Sequence, residues 1–393
     1  MKRLLVIISL ISIVFTALFL HSRMAAAASL SVHQFKSSCG SWTVVTSPNP
    51  GSSTNFLNAV AAIGAGNVWA VGSYGNGNGS SPLIEHWNNS RWTVVSSPTI
   101  AGSLSGIAAI AANNIWVVGE NNSSNAQQTL VEHWNGKTWR IISSPNSGSA
   151  GSTLAAIAAV SSQDIWAVGT TTSSTSSSGY QPLIEHWNGA QWSISSSPAL
   201  SGRLFAVTAV GQNDVWAVGD NITPDLTGTL IEHWNGTQWS VVTSPSPGPA
   251  SNVLNAVVKV SANDVWAAGD YTNSSGPSAD YSPLIEHWNG TQWSVVTSPV
   301  QGTSDFINGM SVTSARNITV VGEYRNSLDP TGPYFTLIEH WNGTQWSIVS
   351  SPSPGSTASD LLAATHVPKT KQTWAVGITY DSVTYRTLVE KKC

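Results

Sequence analysis

Charge is scarce in this sequence. Asp, Glu, Lys and Arg make up 9% of its 393 residues, and acids outnumber bases 20 to 16. Nucleic acid is therefore not an expected partner, because its binding rests on many Lys and Arg contacts to phosphate. Helical period is missing along the whole chain, which sets aside bundles and α/β folds. The signatures of several chemistries are missing too: there is no Gly-x-Ser-x-Gly elbow, no zinc-spaced His pair and no EF-hand loop. No metal site follows from spacing, and calcium is the one cofactor that scattered carboxylates leave open. Only two cysteines are present, Cys39 and Cys393, near opposite ends.

The first 28 residues differ in character from the rest. Lys2 and Arg3 precede an apolar run at residues 4–20, and Ala26-Ala27-Ala28 forms a small-residue cleavage site. This is the pattern of a signal peptide, so the expected location is secreted or extracytoplasmic, with no membrane contact unless the segment is kept as an anchor. Residues 29–38 read as a short linker. Removing Lys2, Arg3 and Arg23 leaves 13 basic and 20 acidic side chains, a formal charge of −7.

What the remainder has in abundance is repetition. All nineteen tryptophans fall in three patterns that recur in fixed order. One is a Trp strand ending in Ser-Pro, at Trp42, Trp92, Trp139, Trp192, Trp239, Trp293 and Trp346. The second is Val-Trp-Ala-Val-Gly or a variant, at Trp69, Trp116, Trp166, Trp216, Trp266 and Trp374, with Thr319 replacing the indole in the sixth copy. The third is Leu-Ile-Glu-His-Trp, at Glu85, Glu132, Glu185, Glu232, Glu286 and Glu339, with a degenerate copy at Glu390. A period of about 50 residues suits a four-stranded propeller blade. The fifth repeat predicts strand A at 254–260, B at 265–270, C at 284–288 and D at 293–297. Asn-Gly pairs such as Asn289-Gly290 join C to D as tight hairpins.

The N-terminal copy supplies only a D strand at Trp42, and the C-terminal copy supplies A, B and C. The expected fold is thus an all-β, seven-bladed propeller over residues 39–393, its ring closed by the N-terminal strand completing the last blade. Aligned on the other blades, Cys39 and Cys393 occupy the turn where the peptide link is missing, and a disulfide there would replace it. The order of the patterns resembles the kelch repeat, as found in secreted propellers of the galactose-oxidase type. The resemblance is loose: Ser73, Glu120, Thr170, Asp220, Asp270, Glu323 and Ile378 stand where kelch blades usually have a second Gly. It implies the fold, and it does not bring over copper-radical chemistry, since both cysteines are assigned and six of nine His lie in strand C.

Antiparallel strands place the A–B and C–D turns on one face of the disc and the B–C and D–A loops on the other. The turns are uniform, whereas the loops at 271–282 and 324–335 are long and individual. All eight tyrosines fall in the B–C segments. Apart from the strand C Glu and the turn residues Asp164, Asp214 and Asp264, every acid belongs to the loop side, Asp225 and Asp329 included. Candidate ligand-binding residues are Tyr74, Glu120, Tyr180, Asp220, Asp270, Tyr271, Glu323, Tyr324, Arg325, Tyr334, Tyr380 and Arg386. Rings that pack on a pyranose, with carboxylates that accept its hydroxyl protons, point to a carbohydrate or another surface polymer as partner. The repeated Glu-His-Trp reads as scaffold, because Glu and His point to opposite sides of a strand. The expected function is non-enzymatic binding. The alternatives are a structural or protein-protein scaffold, and a polysaccharide hydrolase or lyase acting through two loop-face carboxylates.

Overall fold

The computed structural model describes residues 40–77, 79–124, 126–147, 151–172, 176, 178–223, 226–274, 280–327 and 332–393. The leader, Cys39, Asp225 and Asp329 therefore lie outside the described residues.

Alternating β-branched and aromatic runs punctuated by turn residues fold into seven sheets of four antiparallel strands. Blades 1 to 6 span 55–94, 102–141, 152–194, 203–241, 252–295 and 304–348. The fifth is Asn252–Ser261, Asp264–Thr272, Tyr281–Trp288 and Trp293–Val295. Strands A to C thus run further than the sequence pattern predicts. Blade 7 combines Ala358–His366, Thr373–Tyr380 and Tyr385–Lys392 with Thr43–Val44 from the N-terminal side. Its register pairs Thr43 with Lys391 and Val44 with Glu390. The loop after Thr43–Val44 repeats a contact of the continuous blades: Thr387 N donates to Asn49 Oδ1 at 2.8 Å, as Thr129 N does to Asn146 Oδ1 at 2.8 Å. The fold is the expected seven-bladed ring. Outer D strands stay only two or three residues long, a length that limits edge-to-edge pairing.

Indoles form the glue between blades. The strand B Trp of one blade meets the C and D Trp of the next, as Trp216 meets Trp288 at 5.0 Å and Trp293 at 5.4 Å. The same indole stacks on its own blade's strand C imidazole, with Trp216 and His233 4.1 Å apart. Asp214 Oδ1 accepts from both, Trp216 Nε1 and His233 Nε2, each at 2.9 Å. The glycine ending each Val-Gly step follows from close approach. A Cβ at Gly219 would sit 1.9 Å from the Arg203 carbonyl oxygen, and at Gly322 1.9 Å from that of Phe306.

Candidate functional site

Each A strand carries one extra residue opposite the strand B Gly, a bulge that re-aims its side chain. Asn occupies it in blades 1, 5 and 6, and reaches the next blade. Asn58, Asn255 and Asn308 donate to the carbonyls of Leu104, Ile307 and Leu361 at 2.8, 2.9 and 3.2 Å. The last two Asn also hold carboxyls. Asn255 Nδ2 donates to Asp270 Oδ1 at 3.2 Å, and Asn308 Nδ2 to Asp360 Oδ1 at 2.9 Å.

These contacts assemble one cluster on the loop side of blades 5 to 7. Glu323, on strand B of blade 6, feels the charges of both Asp270 and Asp360. Arg325, two residues on and therefore on the same side of the strand, is 9% exposed. Its guanidinium lies 5.8 Å from the centres of the Phe306 and Tyr334 rings, and Nη1 donates to Tyr334 Oη at 3.4 Å. Arg325 Nε is buried and has no hydrogen-bond partner among the described residues. Tyr281 completes the wall, 4.7 Å from the Phe306 ring.

Burial sets the protonation of the three acids. It pushes Asp270 up to about 7 against the pull of Asn255, and Asp360 up to about 7 against the pull of Asn308. Burial raises Glu323 well above the usual carboxylate range, the neighbouring Asp360 raises it further, and Arg325 opposes both. Near neutrality this cluster therefore both donates and accepts protons in hydrogen bonds, with aromatic faces alongside.

Of the sequence candidates, the structure brings together Asp270, Glu323, Arg325 and Tyr334, and it adds Asp360 and Tyr281. The others lie elsewhere. Asp220, fully buried, is gripped through both oxygens by Arg203, which also lies 5.7 Å from the Tyr180 ring centre. Glu120 is held by Asn122 and Gln127, each at 3.0 Å. Tyr74, Tyr271 and Tyr324 pack against the cores between blades. Tyr380 stacks on Tyr385 at 4.3 Å, and the exposed Arg386 lies 3.6 Å from Asp381. Among the described residues no group of three or more His, Cys, Asp or Glu is placed to hold a metal ion.

The repeated Glu-His-Trp serves the scaffold. All seven strand C Glu are fully buried. Two accept from the preceding blade: Ser197 Oγ donates to Glu232 Oε1 at 2.6 Å, and Ser298 Oγ donates to Glu339 Oε2.

No family model and no curated protein matches the chain. Its likeness is to solved propellers. YCF48 bound to a D1 peptide superposes with a TM-score of 0.54 at 12% identity, over 90% of this chain and 97% of its own. YCF48 from Cyanidioschyzon merolae gives 0.53 and 12%, over 90% and 98%. The GH74 xyloglucanase from Xanthomonas campestris gives 0.53 and 12%, over 88% of this chain and 55% of its own. At such identities the likeness is one of fold, and function rests on the site itself.

Proposed function

We propose that the cluster on blades 5 to 7 binds a hydroxyl-rich ligand, a carbohydrate or cell-surface polymer, without cleaving it. One observation carries this reading. Glu323, which feels both Asp270 and Asp360, converges in one sector with a buried Arg that has an unused donor and with three aromatic rings. The positions equivalent to Asp270 and Glu323 hold Ser73, Thr170 and Ile378 in blades 1, 3 and 7. Ring maintenance therefore does not require the acids. Protonated carboxyls and Arg325 supply donors, ionised oxygens supply acceptors, and Tyr281 and Tyr334 supply surfaces for a pyranose face. GH74 xyloglucanase acts on a polysaccharide on the same fold, and YCF48 has been solved with a peptide, so both ligand classes have precedent among propellers.

The test is an array of glycans and polysaccharides probed with residues 29–393, alongside a reducing-sugar assay. Saturable binding without sugar release, weakened at least tenfold by Glu323→Gln or Tyr334→Ala with an unchanged melting temperature, is the expected result. Release of sugar would replace this reading with the hydrolase or lyase one. Silence across the array would favour a protein scaffold.

The same reading makes the protein exported through residues 1–28, and a divergent relative of the kelch type by the order of its motifs. The pairing of Thr43 with Lys391 supports a Cys39–Cys393 disulfide across the broken turn. Peptide mass mapping without reductant decides it.

A further inference from the structure

The turns look uniform from repeat to repeat, yet their charges are not. Seven exposed cations lie on the turn side: Arg91 and Lys137 in C–D turns, Arg140 beside one, Arg316, Lys369 and Lys371 in A–B turns, and Lys259 just before the A–B turn of blade 5. All but Lys259, which lies near the turn residue Asp214, belong to blades 6, 7, 1 and 2, which are contiguous around the ring. Lys391 and Lys392, half-buried at the end of strand C, add to the same sector, and Lys391 lies 4.9 Å from the Trp374 ring centre. Among the described residues these four blades have no Asp on that side, and their strand C Glu are fully buried. Asn67, Asn114 and Asn317 stand where blades 3 to 5 have Asp164, Asp214 and Asp264, and they accept the same imidazole bonds. Hydrogen bonding therefore does not choose between Asn and Asp here, but charge does.

The seventh A–B turn is also the departure in length. Residues 367–372 replace the two-residue turn of the other blades, and they carry Lys369 and Lys371. A cavity of about 510 Å³ there is lined by His366, Pro368 and Lys369 together with Met310 and Val312. The opposite face has the reverse sign. Among the described residues it carries eight Asp and Glu against Arg203, Arg325 and Arg386. The chain enters the ring through Gly40-Ser41-Trp42, at the C–D position of blade 7, inside the basic sector.

We infer that the turn face of blades 6, 7, 1 and 2 docks onto an anionic lipid bilayer, leaving the acidic loop face turned away from it. Charge complementarity chooses the lipid surface. Several cations presented together act additively near anionic headgroups. This inference does not depend on the glycan site.

The test uses residues 29–393, which retain the 28 described strands and lack the apolar run. Sedimentation with vesicles of phosphatidylcholine plus phosphatidylglycerol is compared with phosphatidylcholine alone. Binding should require phosphatidylglycerol and should fade as salt is raised past physiological strength. Arg91→Glu, Lys137→Glu and Arg316→Glu combined should lower partitioning by at least roughly a hundredfold. All three side chains are exposed, so the melting temperature should hold. Arg386→Glu, on the far face, should leave partitioning as it was. Equal binding to both vesicles, no effect of the triple reversal, or binding to soluble polyphosphate but not to vesicles would each overturn the inference.

Discussion

The junction between blades 6 and 7 lacks the indole set that fills the other six, and restoring it should strengthen the ring. At the other junctions, ring centres of the strand B Trp and the next blade's C Trp lie 4.9 to 5.4 Å apart, as for Trp166 and Trp234, or Trp69 and Trp134. At the exceptional junction Thr319 replaces the first and Lys392 the second, while Trp42 keeps the D position and remains 4% exposed. The two departures face the same gap, so each substitution makes the other tolerable. Thr319→Trp with Lys392→Trp would create the missing contact between strands B and C. An aromatic pair contributes about 0.5–1.5 kcal/mol beyond burial, and that is the expected coupling in a double-mutant cycle. Urea unfolding of the wild type, both single variants and the double would measure it. A double variant no more stable than the sum of the singles would refute the reasoning, since the gap would then not be shared.

Two further outcomes follow from buried charge. Arg203→Met should cost about 3–5 kcal/mol, because the fully buried Asp220 would lose the cation that pairs with it, and adding Asp220→Leu should recover most of that. Urea unfolding of the pair checks it. Stability should also fall with rising pH. Burial pushes Glu85, Glu132, Glu185 and Glu390 up to about 8 from 4.5, so between those values the folded chain holds protons that the unfolded chain has released. The contribution is complete below about pH 4.5 and is lost as pH approaches 8. Glu132→Gln should therefore gain about 1–3 kcal/mol at pH 8.5 and little at pH 4.5, and a melting profile flat with pH would contradict this.

The ring was legible because each blade repeats the same solution to the same packing problem. The tryptophans mark three fixed positions per blade, and the missing D strand at one end matches the surplus one at the other. The candidate site was legible only in part. Asp270 and Tyr271 are adjacent on one strand and so point to opposite sides; one joins the cluster while the other packs against the core. Period two was available from the sequence, but which side faces the mouth was not, because the bulge on strand A shifts the register of what lies opposite. Asp360 and Tyr281 had the right chemistry and no local mark. Their proximity to Glu323 and Asp270 comes from blades meeting around a ring, a relation that runs across sequence rather than along it.

The basic sector escaped sequence reading for a related reason. Its residues are spread from Arg91 to Lys392, and a net acidic composition conceals them. Repetition supplies the means of seeing them once the ring is known. Where Asn and Asp accept the same bonds from the same imidazole, the choice between them is free of packing consequences, and a one-sided distribution around the ring reports something outside the fold. The same reasoning applies on the loop side, where Ser, Thr, Ile, Asp and Glu share one strand position without changing the blade. A scaffold that specifies its own residues this fully leaves function to the positions it does not specify, and in this chain those positions carry opposite charge on opposite faces.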